Sequence, residues 1–216
     1  MTSPSELPAP AVRSTYRHGD LRRVLLEAGI ELARAGGPHA VVLREATRRA
    51  GVAPNAAYRH FAGRDALLQA VRAAALSAVA AAMEAELATL PSNLPPADFA
   101  RASVRAVGAG YLRFAQAETG LFRTAFARSD VLIQATPELP TAGASGLNPF
   151  ELLGAALDKL VAAGVMPPER RPGAEFLAWS AVHGLAMLVI DGPLAVIAPQ
   201  LPQIGQRLLD MVEKGL

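Results

Sequence analysis

The sequence predicts an all-α protein, on three observations. Hydrophobic residues make up 51% of the chain and aromatics only 5%, with alanine abundant. That balance suits closely packed helices better than a β-sandwich, which draws on Val, Ile, Thr and aromatic side chains. Apolar residues recur at three- and four-residue steps, the period of a helix with one buried face. Clusters of Gly and Pro interrupt those stretches and mark where helices stop. The expected architecture is about nine helices, a small N-terminal three-helix unit followed by a C-terminal helical bundle.

Residues 1–15 are rich in Pro and Ser without apolar periodicity and are expected to form a disordered tail. The first helix begins near Asp20, with Leu21, Leu25, Ala28 and Leu32 as its apolar stripe, and Gly36-Gly37-Pro38 ends it. Leu43 to Ala50 reads as a short second helix. Gly51 stops it, because glycine tolerates the left-handed conformation found just past a helix end. Val52 is the expected buried hinge residue. Pro54 suits the first turn of the next helix, where its missing N–H has no partner to lose. That third helix carries Asn55, Tyr58, Arg59 and His60 and is expected to end near Phe61. Helix, glycine turn and short polar-aromatic helix is the pattern of a helix-turn-helix, whose second helix enters the DNA major groove.

A long helix follows Gly63, with Asp65 in its first turn where a carboxylate favours the helix dipole. It runs to about Leu90, before Pro91 and Pro95-Pro96. Two further helices are expected over 97–116 and 118–127, and a long loop over 129–146. Another helix spans 149–164, with Phe150, Leu153, Leu157 and Leu160 in one stripe. The helix over 172–190 is apolar on most faces and must be buried on most faces. One face meets the body, and the other is expected to meet a second subunit. A last helix over 201–213 carries Ile204, Leu208, Leu209 and Val212, and the last two helices are the expected dimer contact about a two-fold axis.

The chain contains no cysteine, so disulfides and thiolate metal sites are excluded. No uninterrupted apolar run reaches the roughly 18–20 residues of a membrane span. The stretch 176–190 comes nearest, but it is short and contains His183. The N-terminal segment lacks a basic start followed by an apolar core, so no secretory signal is expected, and the cytoplasm is the expected location. Net charge is +2, unevenly placed: residues 1–80 hold 11 Arg and Lys against 6 Asp and Glu, and residues 81–216 hold 10 against 13. A basic N-terminal part beside an acidic remainder suits a nucleic-acid reader joined to something else.

Arg44-Glu45, the run Ala50-Gly51-Val52, then Tyr58-Arg59-His60-Phe61, Arg64-Asp65 and Leu67 stand in an order and spacing that resembles the TetR family of bacterial transcriptional repressors. The resemblance spans about residues 18–78, with the helix-turn-helix at about 41–60. It implies a DNA-binding unit over 18–78 and a ligand-binding and dimerisation unit over 79–216. It also implies DNA contacts from Arg44, Asn55, Tyr58, His60 and Arg64. An amide reads adenine or holds phosphate, Tyr and His donate to phosphate or pack on thymine methyls, and Arg reaches guanine or phosphate. Several positions depart from the family pattern. Val42 and Ala53 stand where capping Ser or Thr is usual, Thr47 stands for a small apolar residue, and Arg64 stands for a common Lys.

Trp179 and His183 lie four residues apart and share a helix face. With Gly184 they resemble a Trp-His-Gly signature in the C-terminal domain of one TetR-family subgroup. Tyr111, Phe114, Phe122 and Phe126 suit an apolar pocket between helices, where ligand sites of bundles form. These six aromatic residues are equally readable as core. The four histidines are scattered without metal-ligand spacing, and no phosphate-cradling glycine loop or nucleophile elbow is present. No cofactor, metal or catalytic residue is expected. The expected function is a homodimeric, non-enzymatic DNA-binding regulator, a repressor released from a near-palindromic operator by a small-molecule effector. The alternatives are a ligand-independent architectural dimer and, more remotely, a helical-bundle enzyme.

Overall fold

The computed structural model describes residues 18–127 and 140–215, and every regular element within them is helical. The expected tail over 1–15 and most of the expected loop over 129–146 lie outside the described residues. Within the described residues nine α-helices follow one another: α1 (His18–Ala40), α2 (Leu43–Ala50), α3 (Pro54–Ala57), α4 (Arg64–Leu87), α5 (Pro96–Ala117), α6 (Thr119–Phe126), α7 (Pro149–Ala162), α8 (Ala174–Ile190) and α9 (Leu201–Gly215). Short 3-10 turns at Pro168–Arg170 and Ala195–Gln200 precede α8 and α9.

α1 buries the predicted stripe, Leu21, Leu25 and Leu32, against α2, α4 and α6. Its regular part breaks where expected, at Gly36 and Gly37, the latter at φ 68°, and one further turn through Pro38 carries the chain to Ala40. α4 is the helix on which α1, α5, α6 and α7 all pack. Leu67, Val71, Leu76, Val79 and Met83 along it are buried, and removing each such side chain from water contributes roughly 1.5–3 kcal/mol.

α4 is long and apolar enough, by length and composition, to cross a membrane, and α8 passes the same test jointly with the segment 195–215 across a 120° bend. Gln69, Arg72 and Ser77 interrupt its apolar residues, so no uninterrupted apolar run of that length exists in α4. In the fold the helix supplies the core between the two halves of the chain.

α5 carries the C-terminal layer, packing on α7, α8 and α9. α7 begins in a reciprocal cap: the Asn148 Oδ1 accepts from the backbone N–H of Phe150 (2.9 Å) and Glu151 (3.0 Å), and Glu151 accepts from the Asn148 N–H (2.8 Å). α9 is fastened at its end by Glu213, a buried carboxylate that pairs with Arg101 and, at 3.1 Å, with Arg105 of α5. α8 buries one stripe, Ala174, Ala178, Val182, Ala186 and Val189, and packs on α5, α7 and α9. Phe176, Leu177 and Leu188 of α8 and Met211 of α9 are exposed large apolar side chains in the single chain.

Candidate nucleic-acid interface and apolar cavity

α2 starts without a side-chain cap at Val42, and α3 without one at Ala53, the cost of placing apolar residues at those two positions. Thr47 is accommodated differently: it is buried, and its hydroxyl donates to the Arg44 carbonyl at 2.7 Å. Gly51 sits at φ 67°, ψ 28°, and the turn closes through Val52 N–H to the Thr47 carbonyl at 3.1 Å. Glycine is needed here because a Cβ is strained in that region. Val52 is half-buried rather than fully enclosed.

The regular part of α3 is shorter than predicted. It ends at Ala57, and residues 58–60 continue as a turn in which His60 and Phe61 both donate to the Ala57 carbonyl at 2.9 Å. The turn sorts the side chains. Ala57 and Phe61 point into the core, where the Arg22 guanidinium lies 4.9 Å from the Phe61 ring centre. Asn55, Tyr58 and Arg59 are exposed and His60 is half-buried. Tyr58 keeps 59% of its surface open.

Arg44 is exposed at the start of α2. Arg48 grips Glu45 with two hydrogen bonds (2.8 and 2.7 Å), and Arg49 adds a third at 3.3 Å. The bond from Arg48 is the main reason the Glu45 carboxyl is lowered to about 2. Arg64 donates to the Pro38 carbonyl at 2.9 Å, so it ties the start of α4 to the end of α1 while remaining exposed.

α6 joins this unit to the body. Gly120 lies so close to α1 that a Cβ there would press on the carbonyl oxygens of Ala33 and Arg34. Arg34 reaches across to Glu118 at 3.0 Å.

Behind α6 lies a cavity of about 40 Å³, part of it opening outward. Its wall is apolar: Met83 of α4, Val104, Val107 and Tyr111 of α5, Phe126 of α6, Phe150 and Leu153 of α7, Trp179 and Val182 of α8, Leu209 and Val212 of α9. The Tyr111 hydroxyl receives the Trp179 indole N–H at 3.1 Å and lies 2.7 Å from His183 Nδ1. Burial raises the Tyr111 pKa well above its ordinary value and lowers that of His183. Both are therefore neutral near pH 7.

Five of the six predicted aromatic residues meet here. The ring centres of Tyr111 and Phe122 are 5.2 Å apart, of Phe122 and Phe126 4.8 Å, of Phe126 and His183 5.0 Å, and of Trp179 and His183 5.3 Å. Phe122 is fully buried behind the wall. Phe114 is buried too, but it neither lines the cavity nor joins the ring cluster. Three residues further along α5 than Tyr111, it serves as core. Phe150, which sequence reasoning placed in a helix stripe only, meets Trp179 edge-on with ring centres 6.4 Å apart and forms wall. The Asn-Pro-Phe-Glu run was the available signal, since a capping box fixes which face Phe150 presents.

An uncovered polar-aromatic turn after a glycine elbow, carried on a helical body with an internal cavity, defines a helix-turn-helix transcription regulator. The chain belongs to the tetR family. The family's own model, bacterial regulatory proteins of the tetR family, matches residues 25–71, and the tetracyclin repressor-like C-terminal domain matches residues 104–212. Among solved structures, a protein of unknown function from Rhodococcus sp. RHA1 is similar at 26% identity over 94% of this chain and 99% of its own, with a TM-score of 0.72. The TetR family transcriptional regulator PfmR from Thermus thermophilus shares the fold at 20% identity, over 89% of this chain and 98% of its own, with a TM-score of 0.57. The TetR regulator SCO7222 from Streptomyces coelicolor shares it at 20% identity, over 90% and 96%, with a TM-score of 0.57. No curated protein matches the chain.

Proposed function

We propose that the chain is a homodimeric repressor that reads a near-palindromic operator and leaves it when a small molecule fills the core cavity. The observation that carries the first half is the exposure of Tyr58 and Asn55 beside a buried Ala57 and Phe61. A tyrosine with 59% of its surface open is left uncovered by the described residues of its own chain. Asn55, Tyr58 and His60 face the groove, Arg44 reaches a base edge or a phosphate, and Arg64 meets a phosphate from the start of α4. Residues 18–78 form the reader and 79–216 the sensing and dimerising body, with α4 running unbroken through both.

Two copies pair through α8 and α9, covering Phe176, Leu177, Leu188 and Met211. The pairing sets two α3 segments roughly 34–36 Å apart on successive major grooves. Release works as a population shift. α4 and α6 both line the cavity and both contact α1, so an occupant that favours another α4–α6 arrangement changes the spacing of the two readers and lowers affinity for DNA. The protein acts in the cytoplasm, where its DNA is.

Selection of genomic fragments by the purified protein tests the proposal. Recovery of one near-palindromic site, bound by two protomers, is expected. Recovery of fragments with no shared site would remove the repressor reading.

A further inference from the structure

Beyond the core cavity, we infer that the cleft where the ends of α1, α6 and α8 meet is a second binding site, for a small planar organic cation that takes the place of Arg123 on Asp191. The cleft has about 450 Å³ of room. Gly36 and His39 stand in its wall from the end of α1, Arg123 and Phe126 from α6, and Met187 and Asp191 from the end of α8. Each of these three helices reaches the cleft with its C-terminal end. Such an end carries a partial negative charge, up to about half an elementary charge, and Asp191 adds a full one. Among the described residues of the wall, Arg123 is the only arginine or lysine that answers them.

Arg123 answers them poorly. Its Nη2 serves two acceptors at once, the Ile190 carbonyl at 3.3 Å and Asp191 at 2.5 Å, and its Nε–H is buried without a hydrogen-bond partner. A buried donor left unsatisfied is costly. The pair is also open to solvent, with 38% of the Arg123 side chain and 41% of the Asp191 side chain exposed, and ion pairs so exposed are weak. A free cation with two parallel N–H groups can therefore displace Arg123, because a forked donor makes two bonds to one carboxylate. Phe126 and Met187 receive the body of such a molecule: an aromatic face attracts a cation, and a thioether packs well on a ring edge. The core cavity has the opposite character. No charged side chain lines it among the described residues, so a cation placed there loses its hydration without a partner.

Benzamidinium, benzamide and benzoate have one ring and nearly one shape, and differ in charge. Each is titrated into full-length protein at pH 7, with binding followed by ligand-observed NMR. Benzamidinium is expected to bind about tenfold or more tighter than benzamide, the worth of a charged hydrogen bond, and benzoate weaker than benzamide. In Asp191→Asn the preference for benzamidinium over benzamide is expected to disappear. In Arg123→Gln benzamidinium is expected to bind about two- to fivefold tighter, because its competitor is gone. Loss of a merely structural side chain would not tighten it. If neither variant folds, the ranking on the unaltered protein decides. Benzamide binding as tightly as benzamidinium, Asp191→Asn keeping the preference, or Arg123→Gln binding benzamidinium more weakly overturns the inference. Operator DNA is absent from these titrations, so their failure leaves the repressor reading standing.

Discussion

The Tyr111 hydroxyl lies 2.7 Å from Nδ1 of His183, joining α5 to α8 across 72 residues of sequence. The bond has a consequence for acid stability. Burial holds the His183 pKa below its ordinary 6.5, so the unfolded chain takes up a proton at higher pH than the folded protein does. The stability that depends on a neutral His183 is complete above about pH 6.5 and declines as pH falls from there through the folded value. His183→Gln is expected to remove that decline. Thermal unfolding followed from neutral pH down to about pH 5 checks it, the melting point of the unaltered protein falling more steeply than that of the variant.

Gly120 makes a second prediction, against helix propensity. An alanine in a helix interior ordinarily gains up to ~1 kcal/mol over glycine. Here its methyl group would press on the Ala33 and Arg34 carbonyls, and overpacking of this kind costs about 1–3 kcal/mol. Gly120→Ala is therefore expected to lower stability in urea unfolding. A stabilised variant would show that α1 and α6 yield easily, and a rigid link between reader and body would be lost with it.

Tyr58 and Phe61 are three residues apart and face opposite ways. Phe61→Ala should cost roughly 3–5 kcal/mol of stability, the usual loss for a buried ring. Tyr58→Ala should stay within ~0.5 kcal/mol, as for a surface site, while weakening operator binding. Paired chemical unfolding and gel-shift measurements separate the two effects.

Leu177 is 70% exposed in the single chain. If α8 and α9 form the dimer contact, Leu177→Glu should shift sedimentation from two protomers to one, leave helical content intact and weaken operator binding, because each reader alone contacts a half-site. A variant that remains dimeric would place the contact elsewhere.

What the sequence made legible was local. Leu43–Ala50, its Gly51 stop and the Pro54 start are dictated by neighbours within one turn, and all three stand where the residues put them. The α8 helix is apolar on most faces, and Phe176, Leu177 and Leu188 along it are open in the single chain. The end of α3 was less readable. Nothing at residues 58–60 breaks a helix by propensity, and the chain leaves it because the Phe61 ring is drawn under α1, against Arg22. The cavity was legible only in part. Helical periodicity places Trp179 and His183 on one face, but which side chain stands opposite depends on how α5 docks, and that docking brings in Tyr111 and leaves Phe114 out.

The most direct measurement is equilibrium titration of a fluorescent operator duplex, taken from the genomic selection, with the unaltered protein and with His60→Ala and Tyr58→Ala. The unaltered protein should bind it with a steep dependence on salt and a clear preference over scrambled duplex. Each variant should lose about tenfold or more of that specific affinity while melting at the same temperature, the worth of one good groove contact. Unchanged affinity in both variants would contradict the assignment of this turn as the DNA-reading surface.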